Sequence, residues 1–375
     1  MLPHLEVGGA ERHLLQVLPR LDRRRFAASV CSTHGPGSYD GPMRDAGVPV
    51  FAPARTGHGV AALPGKALHF LRTARIVGPD LVHFFLPQAY LVGGPLAVLL
   101  GLRPRVMSRR SLNDYQRRHP VARRIERRLH CHMDAVVANS RAVAANLLEE
   151  GVDPKALSII ANGIDTGRFA AIARAEARAA LGLGDDEMVI VCVANLIPYK
   201  GHADLVDALA AATLPSRWRC LLAGRDTAGI GPALDARAAA LGIGDRIVRL
   251  GLHDDVPALL AAADIFVLAS HEEGSPNSLA EAMAAGVAVV ATAAGGTAEL
   301  VDDGRTGLLT PPRDPAALAA AISRIAADSG LRHRLGTAAR DHIAGEHSIA
   351  ACVARYEALY EGLLARRPLR YAGPA

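Results

Sequence analysis

Two glutamates separated by seven residues stand in a segment that could bind a polyol carrying phosphate. The segment reads HEEGSPNSLAE over residues 271–281 and follows the apolar run IFVLAS. Glu273 would lie in the loop after a strand, and Glu281 two turns into the next helix. Each carboxylate can accept hydrogen bonds from sugar hydroxyls in a bidentate way. The alternative is a glutamate favoured by the helix dipole together with an ordinary surface glutamate.

The start of that helix is predicted from Ser275, which can cap it, and from Pro276, which suits its first turn. A helix N-terminus at the carboxyl edge of a parallel sheet exposes N–H groups to an anion. The next strand and turn read AVVATAAGGTAEL over 288–300. There Gly295-Gly296 allows close backbone approach before a further helix. Two such turns on successive strands favour a phosphate site more than one turn alone.

A lysine follows another predicted strand in the same half of the chain. The segment VANLIPYKGH places Lys200 and Gly201 in the loop after residues 189–194. An ammonium group there could neutralise a departing diphosphate, an electrostatic effect worth about 3 kcal/mol. The alternative is a solvated surface lysine. The chain has 42 Lys and Arg, of which only residues 66, 155 and 200 are Lys, and this scarcity favours a functional role.

These residues need rigid elements to position them, and the sequence predicts parallel sheets covered by helices. Short β-branched runs alternate with longer helical patterns throughout. At 375 residues, 50% of them hydrophobic, the chain suits two α/β domains of roughly 150–200 residues and is not disordered. Strands are predicted near 27–33, 48–53, 81–85, 105–109, 135–139, 157–161, 189–194, 219–223, 247–250, 265–269, 288–292 and 307–310.

The change of domain is predicted between Asn162 and Gly184, and residues 347–365 form one amphipathic helix by their apolar spacing. A doubly wound domain normally opens with a buried strand before its glycine-rich turn. Here Gly8-Gly9 follows almost at once. The first strand is therefore expected to be short or missing, or the start to be placed too late.

The five cysteines form no C-x-x-C pair and no cluster with His at ligand spacing, which indicates free thiols in a reducing compartment rather than zinc ligands. Neither a secretory signal nor an apolar run of the roughly 20 residues needed to span a bilayer is recognisable. A cytoplasmic protein is expected, either soluble or peripheral on the inner face of the membrane. The cysteines are Cys31, Cys131, Cys192, Cys220 and Cys352.

Six segments together resemble glycosyltransferase family 4, the group 1 glycosyl transferases, which have the GT-B fold. The resemblance covers about residues 6–365, and its Glu-x7-Glu element is specific. The segments are GGAERHLLQ (8–16), NSRAVAANLLEEGVD (139–153), ANGID (161–165), VANLIPYKGH (193–202), EEGSPNSLAEAMAAG (272–286) and GGTAELVDDGRTGLL (295–309).

The resemblance implies two Rossmann-like domains that face each other across a cleft. Residues 1–170 would bind the acceptor and 171–346 the nucleotide-sugar, while a helix within 347–375 would pack back on the first domain. Reaction would occur in the cleft with retention of configuration. No metal ion or cofactor would be needed besides the nucleotide-diphosphate sugar, which acts as co-substrate.

The resemblance also implies a role for each matching residue. Lys200 and backbone N–H groups would hold the diphosphate, and Glu273 would hold the hydroxyls of the transferred sugar; these two residues would be catalytic. Glu281 would hold the nucleotide ribose, and Gly9 would approach the phosphates. The remaining residues expected to line the donor site are Gly274, Ser275, Pro276, Asn277, Ser278, Leu279, Gly295 and Gly296.

The chain departs from the family pattern at two further positions. Many members carry an Arg where this chain has Asn195, whose amide can donate a hydrogen bond but brings no charge. Arg225 could partly compensate. The segment after strand 105–109 reads Arg109-Arg110-Ser111, where many members have a histidine in the catalytic cleft. His83 is expected to be a hydrogen-bonded strand residue rather than a catalyst.

A basic stretch over 101–130 lies on the presumed acceptor domain. It has three interpretations: a solvated face, attraction to an anionic membrane surface through Arg103–Arg128, or binding of an acidic acceptor. Aromatic residues make up only 4% of the chain and no nucleic-acid module is recognisable, so nucleic-acid binding is not expected. The stretch has Arg at 103, 105, 109, 110, 117, 118, 123, 124, 127 and 128, opposed only by Asp114 and Glu126.

The favoured function is a retaining glycosyltransferase that moves a hexose-type sugar to a glycan or lipid-linked acceptor in cell-surface polysaccharide or glycolipid synthesis. No carboxylate of the first domain is a clear candidate for the nucleophile, which favours front-face substitution over double displacement. The alternatives are a UDP-sugar epimerase or hydrolase on a similar fold, or a donor-binding protein that has lost its chemistry.

Overall fold

Parallel strands joined by helices make up both halves of the chain in the computed structural model, which describes residues 1–6, 8–54, 59–112, 116, 119–169 and 172–365. The chain divides into two units. The second unit is continuous, Ile164–Ser348. The first unit consists of two segments, the chain up to Gly163 and the chain from Ile349 onward. Each unit therefore has its own parallel strands and its own helices.

The second unit is built on a six-stranded parallel sheet in the order β9-β8-β7-β10-β11-β12. This is a doubly wound order. The chain adds β8 and β9 on one side of β7 and then returns to add β10, β11 and β12 on the other side, so the order of strands reverses between β7 and β10. The strands are β7 (Met188–Val193), β8 (Trp218–Ala223), β9 (Ile247–Gly251), β10 (Ile265–Leu268), β11 (Ala288–Thr292) and β12 (Leu308–Thr310).

Helices cover both faces of this sheet because each strand buries both of its faces. On β7, Val189 and Val191 pack into one apolar layer, while Ile190 and Cys192 pack into the opposite layer. Such continuous apolar runs are typical of parallel strands between helices. The helices are α7 (Arg174–Ala180), α8 (His202–Ala211), α9 (Gly231–Ala240), α10 (Val256–Ala262), α11 (Asn277–Ala284), α12 (Thr297–Leu300), α13 (Pro315–Ala327) and α14 (Ser329–Glu346).

The first unit contains a four-stranded parallel sheet in the order β3-β4-β5-β6 and a separate parallel pair, β1-β2. Its strands are β1 (Val30–Cys31), β2 (Val50–Phe51), β3 (Val82–Phe85), β4 (Arg105–Arg109), β5 (Ala135–Ala138) and β6 (Leu157–Ile159). Its helices are α1 (Gly9–Val17), α2 (Asp40–Asp45), α3 (Leu63–Val77), α4 (Pro87–Leu99), α5 (Pro120–His130), α6 (Arg141–Glu149) and α15 (Ile349–Ala365).

Met1 and Leu2 connect the two sheets of the first unit. Leu2 forms a parallel bridge with Ser32 beyond β1, and the N–H of Phe85 on β3 donates to the Met1 carbonyl at 2.8 Å. The Met1 amine donates to the His83 carbonyl at 2.6 Å, and burial lowers its pKa to about 6. A two-residue piece of extended chain thus occupies the position between β1 and β3, where the sequence predicts a short or missing strand.

Helix α15 packs against the sheet of the first unit through buried tyrosines. The His83 ring on β3 lies 2.8 Å from the Tyr360 hydroxyl and 2.8 Å from the Ser108 hydroxyl. Because burial lowers its pKa well below the usual range, His83 is a neutral imidazole with both ring nitrogens hydrogen-bonded. Its role is to join the helix to the sheet.

The basic stretch is only partly a solvated face, because two of its arginines, Arg105 and Arg109, are buried. Arg109 is buried at the end of β4, where its guanidinium contacts Glu126 at 2.8 Å and Glu150 at 3.0 Å. Hydrogen bonds to His130 and charge from Arg109 outweigh the desolvation and lower the pKa of Glu150 to about 2. The exposed positive charges are the arginines at 103, 123, 124, 127 and 128. Asp114, Arg117 and Arg118 lie outside the described residues.

All five cysteines are free thiols, and four of them are buried. Burial raises the pKa of the Cys192 thiol to about 12, so this residue stays protonated within the sheet. Across the described ranges, none of the helices has both the length and the apolar character required to cross a bilayer.

Candidate functional site

Lys200 and Glu273 form an ion pair in the second unit, with 2.6 Å between the Lys200 Nζ and the Glu273 Oε1. Lys200 follows β7 and Glu273 follows β10, the two strands between which the sheet order reverses. Ligands of doubly wound sheets bind at this switch point, outside the carboxyl ends of the strands. The side chains are 18% and 8% exposed, so both are shielded but reachable from solvent.

A short turn after β7 determines where the lysine lies. Pro198–Lys200 form a single 3₁₀ turn that ends at Gly201, whose backbone is left-handed with φ +69°. A Cβ at this position would overlap the carbonyl oxygen of Ala269 after β10. Glycine is therefore required for two reasons, its φ and its close approach to the neighbouring loop. This approach brings the Lys200 loop against the Glu273 loop.

A Gly201→Ala substitution should lower the free energy of unfolding by about 3 kcal/mol, since left-handed strain adds to the clash with Ala269. Gly242 is the matched control because it has φ +73° with nothing within 4 Å of the same added atom. Gly242→Ala should cost only about 1 kcal/mol. Urea unfolding of both variants measures the difference. Equal losses in the free energy of unfolding would show that the contact with Ala269 does not contribute to the effect.

Three polar contacts hold the Glu273 loop. The buried Ser270 hydroxyl donates to Glu273 Oε1 at 2.6 Å, and Thr292 on β11 donates to the Ser270 carbonyl. The N–H of Gly296 donates to the Glu273 carbonyl at 3.0 Å. The Gly295-Gly296 turn therefore supports the glutamate loop, and the N–H of Gly295 has no hydrogen-bond partner among the described residues.

Sequence reasoning missed a second pair that joins the two loops. His271 Nε2 lies 2.7 Å from Asp204 Oδ2 in the first turn of α8, and the His271 N–H donates to the Tyr199 carbonyl at 2.7 Å. Lys200 Nζ also lies 5.3 Å from the centre of the Tyr199 ring. The sequence offers one weak signal, a histidine beside the paired glutamates, because its partner is 67 residues away.

Helix α11 begins one residue later than the sequence suggests. Its N-cap position is Pro276, no side chain caps it, and its first residue is Asn277. The expectation that Ser275 is the cap is therefore wrong. Pro276 has an extended backbone with ψ 103°, which fits the position before a helix. The start of α11 thus presents backbone N–H groups of Ser278 and Leu279, as expected for an anion site.

Glu281 lies in the second turn of α11 and is only 5% exposed. The interpretation of an ordinary surface glutamate is therefore wrong. The position and burial of Glu281 are compatible with a ligand contact at the carboxyl edge of the sheet. Two neighbouring residues are also buried. Gly274 lies beside Glu273 in the loop, and Leu279 is fully buried in α11.

Asn195 and Arg225 lie in adjoining loops after β7 and β8. The Arg225 N–H donates to the Asn195 side-chain oxygen at 3.1 Å, and the Leu196 N–H donates to the Arg225 carbonyl at 2.8 Å. Asn195 thus uses its oxygen to join the loops. Arg225 is a half-buried residue and forms no ion pair among the described residues, which leaves a positive charge at this edge.

Gly9 belongs to the first unit, where it begins α1 after Gly8. The sequence predicts that it approaches the donor phosphates, and this stays a prediction. The second unit alone brings together Lys200, Glu273, the Gly295 turn and the start of α11. This arrangement can hold a diphosphate beside a carboxylate that accepts hydrogen bonds from hydroxyl groups.

Two family models match the chain, one on each half. The model described as Glycosyltransferase Family 4 matches residues 7–168, and the model described as Glycosyl transferases group 1 matches residues 187–328. The second range contains every candidate donor residue described above except Gly9. Both halves therefore point to the same class of enzymes.

Two curated relatives agree with these models. The D-inositol 3-phosphate glycosyltransferase of Salinispora arenicola is 32% identical over 66% of this chain, and the match covers 58% of that enzyme's own length. A GDP-mannose-dependent alpha-(1-6)-phosphatidylinositol monomannoside mannosyltransferase of Mycolicibacterium smegmatis is 32% identical over 72% of this chain and 74% of its own.

Among solved structures, Anabaena HepE in complex with UDP-glucose has the same fold. It matches 96% of this chain and 98% of its own with a TM-score of 0.86, at 24% identity. The two doubly wound units match those of this protein, which indicates the fold but no substrate. By its family models, its relatives and its fold, the chain is a member of glycosyltransferase family 4, the group 1 glycosyltransferases of GT-B fold.

Proposed function

We propose that the protein transfers a sugar from a nucleoside-diphosphate donor to an acceptor hydroxyl. The observation that carries the proposal is the Lys200–Glu273 pair, which lies at the switch point of the second sheet with 2.6 Å between its charged atoms. The ammonium would hold the diphosphate, and the carboxylate would accept hydrogen bonds from the sugar. Glu281 would bind the ribose hydroxyls in the same way.

The diphosphate would also receive backbone hydrogen bonds from the start of α11 and from Gly295, while Arg225 would supply charge at the position that Asn195 leaves neutral. As the bond from the anomeric carbon to the phosphate oxygen breaks, negative charge develops on the departing diphosphate. Lys200 would stabilise that charge most strongly in the transition state. A single such contact typically changes kcat by about 10²–10³-fold.

We propose a front-face substitution with retention and without a metal ion. The acceptor oxygen bonds to the anomeric carbon on the face that the diphosphate leaves, and the hydroxyl proton passes to a departing phosphate oxygen. Atoms and charge balance without a nucleophile of the enzyme. A covalent glycosyl-enzyme trapped by mass spectrometry would overturn this mechanism in favour of double displacement.

The acceptor is proposed to be a glycan or lipid-linked hydroxyl compound that carries negative charge, in cell-surface polysaccharide or glycolipid synthesis. Helix α5 exposes Arg123, Arg124 and Arg128 together with Val121, which is 72% exposed, and Ile125. Such a basic amphipathic surface suits an anionic lipid layer or an acidic acceptor. The two relatives described above are named for acceptors that contain phosphate.

A thermal-shift screen with UDP-, GDP- and ADP-sugars tests donor binding. One nucleotide class should raise the melting temperature by several degrees, because a ligand at about 100 times its Kd stabilises by about 2.7 kcal/mol. The Glu273→Gln variant should show a smaller shift. The proposal fails if no nucleotide-sugar shifts the wild-type melting temperature.

A second candidate is a donor-binding protein without transfer, which Asn195 favours because it lacks the charge of the usual Arg. The stabilising donor can be incubated with D-inositol 3-phosphate or phosphatidylinositol, and the glycosylated product measured by mass spectrometry. Product supports transfer. Release of nucleoside diphosphate without product would instead support a hydrolase or epimerase, and binding without any turnover would support the second candidate.

A further inference from the structure

Three side chains converge at the C-terminal end of α14, outside the site described above. His342, Glu346 and His347 each offer one ligand atom, and these atoms all lie within 4.8 Å of one another. Across the described residues, no other group of three His, Cys, Asp or Glu side chains is this close. We propose that these three residues form a binding site for one Zn²⁺ ion.

The helix backbone explains why the three groups meet. His342 and Glu346 are four residues apart, so they lie on the same face of α14 one turn apart. The helix ends at Glu346, and the His347 N–H still donates to the Ile343 carbonyl at 3.0 Å. This bond keeps His347 close to the last turn, and its ring lies 5.4 Å from the His342 ring, centre to centre.

The donor set suits zinc better than magnesium or calcium. Two imidazoles and a carboxylate bind Zn²⁺ at about 2.0–2.2 Å, usually with a water molecule as the fourth ligand. Tetrahedral bonds of that length place ligand atoms about 3.4 Å apart, so small side-chain rotations would close the site. Magnesium and calcium prefer an all-oxygen shell. The exposed side chain of Glu346 leaves a path for the ion and room for water.

Two further features favour a cation here. His342 Nε2 is buried and has no hydrogen-bond partner among the described residues. A buried polar atom without a partner is costly, and a metal ion bound through this nitrogen would supply one. The C-terminal end of a helix also carries a partial negative charge, which stabilises a cation placed there.

The site lies beside the segments where the chain passes between its two units. The Ile164 N–H donates to the His347 carbonyl at 2.8 Å, and Ile164 forms a parallel bridge with Ser348. The two ends of the second unit are therefore joined at the residue after α14. An ion held by His347 would restrain this contact within the second unit as well as the last turn of the helix. Zn²⁺ is thus expected to stabilise the protein rather than to act on substrate.

Isothermal titration of untagged, chelator-treated full-length protein with ZnCl₂ tests the site. We expect one equivalent to bind, the melting temperature to rise by several degrees, and Co²⁺ to give the visible absorption of a four-coordinate ion. His342→Ala and His347→Ala should each weaken binding by about tenfold or more. Mg²⁺ should give neither binding heat nor a shift.

His333→Ala is the matched control, because His333 is an exposed histidine on the same helix. It should leave Zn²⁺ affinity unchanged. Melting temperatures of all variants in the presence of chelator show whether each still folds. If His342→Ala does not fold, Glu346→Gln provides a second, milder disruption of the same site. No binding by the wild type, equal affinity in His342→Ala, or an equal loss in His333→Ala would each overturn the proposal.

Discussion

A Lys200→Met variant should lose about 10²–10³-fold in kcat for sugar transfer while it still folds. Lys200 is the ammonium that lies 2.6 Å from Glu273, and removing one group that stabilises developing charge has an effect of that size. Methionine keeps about the length of the side chain and removes the charge and the N–H donors of the ammonium group. Release of nucleoside diphosphate from the stabilising donor measures the rate.

Lys155→Met is the matched control because Lys155 is an exposed lysine of the first unit, far along the chain from the site. It should transfer sugar at the wild-type rate. A kcat of Lys200→Met within about twofold of the wild-type value would contradict a role of this lysine in the mechanism. A fall in melting temperature of a few degrees is compatible with the prediction, since Glu273 would keep its hydrogen bond from Ser270.

A Glu273→Gln variant should lose about 10²-fold or more in kcat/KM, because an uncharged amide binds sugar hydroxyls more weakly and no longer orients Lys200. Glutamine has the same shape and can still accept from Ser270, so the melting temperature should stay near that of the wild type. Glu273→Ala should abolish transfer, with a somewhat larger effect on stability since it also leaves a cavity. Initial rates at varied donor concentration separate kcat from KM.

Glu272→Gln is the control for Glu273, because it removes the neighbouring carboxylate of the same loop. Its kcat/KM should remain that of the wild type. The double variant with Lys200→Met should lose less than the product of the two single losses, since the two side chains act as one unit. Full activity in Glu273→Gln would contradict the site, and strict additivity would contradict the coupling of the pair.

Local patterns predicted most of the elements. Residues 105–109 and 288–292 are strands with the predicted bounds, and the other predicted strands differ by a few residues at their ends. These predictions succeed because a short, β-branched apolar run between helical patterns is typical of a parallel strand buried on both faces, whereas a buried helix would be longer. The predicted start of α11 is wrong by one residue, since both Ser275 and Pro276 are compatible with a helix entry.

Contacts between distant segments could not be predicted in this way. Arg109 was counted with a basic surface, yet it is buried against Glu126 and Glu150. The His271–Asp204 pair spans 67 residues. Nothing in local spacing encodes such pairs, because they depend on which strand ends become neighbours in the sheet. The same holds for Met1 and Leu2, which lie between β1 and β3.

The sequence by itself determined two alternating α/β halves, the loops that carry Lys200 and Glu273, and the family to which the chain belongs. Only the tertiary structure decided that these loops adjoin, because strand order places β7 beside β10 while the intervening strands pass to the far side. It also decided that Glu281 is buried and that Gly296 supports the glutamate loop. Burial and contact depend on packing in three dimensions, whereas strand and helix patterns depend on nearest neighbours along the chain.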